Sequence, residues 1–274
     1  MPEEPENPDV RPEWAPLTVD LDRPSAARVW DYYLGGSHNF QVDRALARQV
    51  MERMPEAPLI ARATRAFLHR AMRFLTDQGI DQFIDVGSGI PTVAPVHEVA
   101  REARPGTRVV YADNDPVAVT HSRALLSGDS ETLVLEADLR RPDELFGPDG
   151  AGGHLDFTRP VAVLLIAVLH FIPDSDDPAA ILANIRARLA PGSYLVIVHG
   201  SVSAEVHQET ADLYRRTPNP LTLRPYDEIL HFFDGFDLVP PGLVPPTSWR
   251  PELSPPGTQL AIHSPGFAGV GRLR

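Results

Sequence analysis

From residue 83 onward, short apolar runs alternate with stretches of helical spacing. FIDVG (83–87), RVVYAD (108–113), TLVLEAD (132–138), VAVLLIAVL (161–169) and YLVIVHG (194–200) are five predicted strands. Several are apolar at successive positions, as strands buried on both faces of a parallel sheet are. Between them, residues 95–104, 116–126 and 178–190 have helical spacing and start signals, the last with Asp177 as N-cap and Pro178 at the first helical position. Strand–helix alternation implies right-handed crossovers and a doubly wound α/β sheet. The rhythm breaks after helices near 204–216 and 226–233. FDLVPPGLV (236–244) and GTQLAIHSPGFAGVGRL (257–273) have no helix between them, which predicts an antiparallel pair at a sheet edge.

Ahead of this lies a mainly helical segment. A short helix from Ser25 carries Ala26, Val29, Trp30 and Tyr33 on one face and ends at Gly35-Gly36, where positive φ and a hinge are expected. A second helix is predicted over 43–54, broken by Pro55 and Pro58. A third, 59–78, has an apolar stripe of Ala63, Phe67, Ala71, Phe74 and Leu75 and a C-terminal Gly79. The chain therefore divides into an acidic, proline-rich tail (1–19) expected to be disordered, a helical cover (20–80) and an α/β core (81–274). GPDGAGGH (147–154) reads as a surface loop.

Composition narrows the chemistry. All 25 basic residues are Arg, so a Walker A lysine, a pyridoxal-phosphate Schiff base and a Tyr-x-x-x-Lys dyad are excluded. With no Cys there is no thiolate nucleophile, disulfide or Cys-ligated metal. The 25 basic residues against 37 acidic ones leave a net charge of -12, which weighs against nucleic-acid binding. The apolar run Val161–Leu169 falls short of the ~20 residues a membrane span needs, and the N-terminus lacks a secretory pattern. A cytoplasmic protein acting on a small molecule is expected. No metal is expected either, because adjacent residues such as His97 and Glu98 point about 100° apart on a helix.

FIDVGSGIPT is the most informative stretch. A strand runs into Gly87-x-Gly89, whose glycines let the backbone approach a ligand, while Asp113 at the tip of the next strand can hold both hydroxyls of a ribose. A dinucleotide fingerprint would place a third glycine where this chain has Thr92, and its acid about 20 residues on, whereas Asp113 lies 113 − 87 = 26 residues beyond Gly87. Asp138 closes the third strand, where an adenine needs an acceptor for its amine and a backbone N–H, from Leu139, for a ring nitrogen. Acids at three successive strand ends, Asp85, Asp113 and Asp138, fit a cationic nucleoside better than a pyrophosphate.

These residues resemble the Class I S-adenosylmethionine-dependent methyltransferases, with DVGSG as the glycine motif, Asp113 as the ribose acid and EADL as the adenine motif. More narrowly, PSAARVWDYYLGGSHNFQVDRALA, QFIDVGSGIPT, VVYADNDPV and LHFIPD are similar to an actinobacterial family labelled S-adenosyl methyltransferase, formerly a domain of unknown function. The resemblance implies a Rossmann-like, mostly parallel seven-stranded sheet with an antiparallel C-terminal hairpin, and S-adenosyl-L-methionine as cofactor. It implies cofactor contacts from Asp85, Gly87, Ser88, Gly89, Asp113, Asn114, Ala137, Asp138, Leu139 and Ile166. It also implies an N-terminal lid in which Tyr32, Tyr33, Gly36 and Asn39 face the cofactor.

His170, just after the fourth strand, is a candidate general base or acceptor-binding group. No D/N-P-P-Y/F motif for amine methylation of DNA follows that strand, where the chain reads IAVLHFIPD, and cytosine C5 methylation fails for want of Cys. The acceptor expected is small but unidentified. A non-catalytic protein that binds the cofactor and regulates a partner, and a nicotinamide oxidoreductase of the same topology, are the alternatives.

Overall fold

The structure is a computed structural model that describes residues 20–91, 95–202, 211–214, 217, 220–254, 262 and 266–274. The predicted tail therefore lies outside the described residues, as do Thr92 and most of the predicted helix 204–216.

Seven strands form one sheet: β1 (Gln82–Val86), β2 (Arg108–Asp113), β3 (Thr132–Glu136), β4 (Ala162–Ile166), β5 (Tyr194–Gly200), β6 (Phe236–Leu238) and β7 (Gly266–Leu273). Their spatial order is β3-β2-β1-β4-β5-β7-β6. The first five pair in parallel, while β7 runs antiparallel to both β5 and β6. Strand order reverses between β1 and β4, the position where doubly wound sheets open a crevice at the carboxyl ends of their strands.

Side chains alternate across the pleat and feed two separate cores. Ile84, Val110, Val163, Leu165 and Ile197 belong to one cluster, and Phe83, Val109, Leu164, Val196 and Val198 to the other. The second cluster is closed by the C-terminal part of α3 (Ala57–Asp77), through Phe67, Met72 and Leu75, and by Val96 and Ala100 of α4 (Val96–Ala103). Two polar caps start helices, that of Asp177 as the sequence predicts. Asp115 accepts backbone N–H bonds at the start of α5 (Pro116–Leu125), and Asp177 does so at α7 (Pro178–Arg186). Between those helices lies the short α6 (Pro142–Phe146), and α8 (Tyr226–His231) precedes β6.

The N-terminal helices α1 (Ala26–Tyr33) and α2 (Gln41–Arg53) pack with the start of α3 in a third cluster built on Val29, Tyr33, Leu46, Val50 and Ala61. A buried ion network fixes them to the core. Arg28 donates from Nε to Asp43 at 2.8 Å and from Nη1 to Asp115 at 3.3 Å. Asp43 also accepts the backbone N–H of Ser25 and Phe40.

Two local predictions need correction. Pro58 does not break a helix but sits in the first turn of α3, where a missing N–H costs nothing. The apolar run 161–169 is not one strand, because the ladder stops at Ile166 and Ala167 turns into the left-handed region at φ 59. Among the described residues no helix is long and apolar enough to cross a membrane.

Candidate functional site

A cavity of about 230 Å³ lies over the carboxyl ends of β1 to β5 and beneath α1 to α3. Its floor is the turn after β1. Gly87 and Gly89 have φ of 67 and 61, a region that strains any residue with a Cβ. A Cβ on Gly87 would lie 2.4 Å from Val168 Cγ2, whereas one on Gly89 would meet no protein atom within 4 Å. The first glycine thus lets β4 close against the turn, and the second leaves its Cα face open to the cavity.

Asp113, at the tip of β2, organises this turn. Its Oδ2 accepts the Gly89 N–H and its Oδ1 the Asp115 N–H, both at 2.8 Å. Each oxygen keeps lone-pair capacity for a further donor. Burial raises the Asp113 carboxyl to about 6, helped by the neighbouring Asp115 charge and opposed by the backbone N–H bonds. Burial also raises Asp85 to about 7, where the Arg65 charge pulls it down and Asp113 pushes it up. Asp138 differs. Its burial is outweighed by Arg140, which binds both carboxylate oxygens and holds the acid below its usual range.

His170 lines the same cavity, and its protonation follows from its partners. The Gly200 N–H donates to His170 Nδ1 at 3.2 Å, so the neutral ring carries its proton on Nε2. The neighbouring His199 has the opposite tautomer. Arg224 Nη1 can only donate, so His199 Nε2 accepts, and Nδ1–H donates to the Gly200 carbonyl at 2.6 Å. Arg224 itself is buried and anchored by Asp174 and by the Ile172 and Leu169 carbonyls. Burial lowers the His170 pKa well below the usual value, with the His199 and Arg224 charges acting in the same direction.

Of the residues singled out in the sequence, Tyr33, Asp85, Gly87, Ser88, Gly89, Asp113, Asn114, Ala137, Asp138, Leu139, Ile166 and His170 all stand on the cavity wall. Tyr32, Gly36 and Asn39 are not among its lining residues. Tyr32 packs in the α1–α2 cluster. Positive φ falls at Gly35 rather than Gly36, and Gly36 is glycine because a Cβ there would lie 2.0 Å from Asp31 Oδ1. Asn39 donates its amide to Asp31 Oδ2 and to the Gly36 carbonyl. These residues shape the loop around Asp31 rather than the cavity.

One wall residue escapes sequence reasoning. Arg65, on the apolar face of α3, lines the cavity near Asp85, and its buried Nε has no hydrogen-bond partner. Burial lowers its pKa, while the Asp85 charge supports its protonated form. Its position in a helical stripe that enters the core was the available signal. A guanidinium edge beside the glycine turn suits a carboxylate.

This geometry defines the class: a Rossmann-like α/β protein with an open crevice at the β1–β4 switch point. The sequence profile of the family described as S-adenosyl methyltransferase matches residues 12–274, and the chain belongs to that family. The fold and the cofactor, S-adenosyl-L-methionine, are therefore those of the Class I methyltransferases.

Two solved structures are similar over nearly their whole length. One is a DUF574 family protein from Streptomyces avermitilis, 33% identical, covering 93% of this chain and 99% of that one, with a TM-score of 0.87. The other is a proposed methyltransferase from Thermobifida fusca, 39% identical, covering 96% and 100%, with a TM-score of 0.86. No curated protein matches the chain.

The residues present fit this cofactor. Asp113 has acceptor capacity left for ribose hydroxyls, the Gly89 face is open, and the unpartnered Arg65 Nε is a buried donor suited to a carboxylate.

Proposed function

We propose that the protein transfers a methyl group to a small-molecule acceptor bound in the same cavity, in the cytoplasm and without nucleic acid or metal. The observation that carries the reading is that Asp85, Gly89, Asp113, Asp138 and Arg65 all line one cavity. Asp138 and the Leu139 N–H hold the adenine, Asp113 the ribose, and Asp85 and Arg65 the ammonium and carboxylate of the methionyl end. Asn114, Ala137 and Ile166 flank the nucleoside. When bound, the cofactor supplies an electrophilic methyl group on a sulfonium.

The chain's own contribution is mainly to align the acceptor and exclude water, an effect worth roughly 7–11 kcal/mol in favourable cases. His170 acts here as an acceptor-binding group rather than a base. Its Nδ1 lone pair is committed to Gly200, which leaves Nε2–H to donate to a lone pair on the acceptor. Arg224, through His199 and the Gly200 peptide, positions that ring.

Calorimetry with S-adenosylhomocysteine and NAD, followed by transfer of a labelled methyl group to a metabolite extract, tests the reading. Binding of the sulfur nucleoside alone, with a labelled product, is expected. Binding of NAD and not of S-adenosylhomocysteine would overturn it, and binding without any labelled product would favour a regulatory protein.

A further inference from the structure

The cavity extends well beyond the residues given to the cofactor. From Arg65, α3 continues along its wall toward its own N-terminus, and Ile60 stands about 7.5 Å away along the axis, at about 1.5 Å per residue. Around that end converge Trp30 and Leu34 of α1 and the loop after it, Met54 after α2, Ile60, Phe171 beside His170, and Leu221. All six are only half-buried. Three N-terminal elements and two distant loops therefore leave apolar surface open toward the same space.

The arginines that line the cavity stand at the other end. Arg65 faces Asp85, and Arg140 is taken by Asp138. Asp31, which also lines the cavity, spends its Oδ2 on the His38 N–H and the Asn39 amide. His170 and His199 are neutral tautomers whose pKa values are pushed down by burial. An anionic ligand entering this end would lose its hydration with no described cation to replace it, and would meet the Asp31 carboxylate.

We propose that this apolar chamber binds the methyl acceptor, and that the acceptor is a largely apolar small molecule without negative charge. The proposal rests on the reading of the other end as the cofactor site.

The test titrates a neutral fluorophore, N-phenyl-1-naphthylamine, into the full chain with and without saturating S-adenosylhomocysteine. The sulfonated relative 8-anilinonaphthalene-1-sulfonate serves as the charged control. The neutral probe is expected to bind the S-adenosylhomocysteine complex, and the sulfonate to bind about tenfold more weakly or worse. Ile60→Arg and Met54→Glu, on different elements, should each weaken the neutral probe by about tenfold while S-adenosylhomocysteine affinity, the check on folding, stays within about twofold.

Absence of neutral-probe binding to a protein that binds S-adenosylhomocysteine would overturn this inference alone. So would tighter binding of the sulfonate, displacement of the probe by S-adenosylhomocysteine, or indifference to both substitutions. Failure of S-adenosylhomocysteine to bind at all would overturn the cofactor reading and this inference with it.

Discussion

Asp113 does two jobs that separate under mutation. It holds the Gly89 and Asp115 amides, and in the proposed complex it accepts the ribose hydroxyls. Asp113→Ala should weaken S-adenosylhomocysteine binding by about 1–3 kcal/mol, as read by calorimetry, since charge-assisted bonds are lost and buried donors left unpaired. Because its carboxyl is raised to about 6, the group is protonated in the free protein below that pH and must ionise to accept two hydroxyls. Affinity should therefore fall as pH drops from 7 to 5. Folding stability responds with the opposite sign: a folded-state pKa above the unfolded value makes a contribution that is present at low pH and lost as pH rises through about 6 for Asp113 and about 7 for Asp85.

The two glycines of the turn also differ. Gly87→Ala meets Val168 as well as backbone strain and should destabilise the fold by about 2–4 kcal/mol in denaturant melts. Gly89→Ala should cost the fold only about 1 kcal/mol and act chiefly on cofactor affinity, because its Cβ enters open space. For the imidazoles, long-range ¹H–¹⁵N spectra should show His170 protonated at Nε2 and His199 at Nδ1, both neutral at pH 6. A charged His170 at that pH would restore its candidacy as a base.

At the scale of elements, much was legible. β2 and β5 run over the stretches their apolar patterns predicted, because short β-branched and aromatic runs bounded by turn signals fit strands covered on both faces. The Asp177–Pro178 start of α7 was equally plain, since capping is a local matter. What could not be read depends on distant partners. Ala167 leaves β4 in a left-handed conformation to place Val168 against Gly87, and no local residue type signals it. Arg28, an unremarked Arg in α1, finds Asp115 across 87 positions. The Gly35-Gly36 pair suggested a hinge facing the ligand, yet the second glycine answers to Asp31.

This changes what hydrogen exchange should show. The amides of Leu34, Gly35, Gly36 and His38 already donate to Trp30, Tyr32 and Asp31. The segment should therefore be protected before S-adenosylhomocysteine is added, and slowing on binding should concentrate in 88–90 and at Leu139. Gly36→Val should disturb the packing of α1 instead of merely lowering affinity. Arg28→Met would strand two buried carboxylates, for which a loss of about 3–5 kcal/mol is expected by urea melt.

The whole molecule couples these parts, because the cavity is bounded by strand ends, by the N-terminal helices and by the β5–α8 region together. A ligand that spans it stabilises the folded state without binding the unfolded chain, by about 2.7 kcal/mol at one hundred times its Kd. For a domain of this length each kcal/mol is worth about 2–4 °C in Tm, so saturating S-adenosylhomocysteine should raise the melting temperature by about 5–11 °C. NAD at the same concentration should leave it unchanged, since the Gly87-x-Gly89 turn lacks the third glycine of a dinucleotide fingerprint, where this chain has Thr92. Asp113→Ala should shrink the S-adenosylhomocysteine shift at a fixed ligand concentration in proportion to its weakened Kd. A full shift in that variant would place the ribose away from β2, and a shift with NAD equal to that with S-adenosylhomocysteine would mean that the glycine turn does not discriminate between the two ligands.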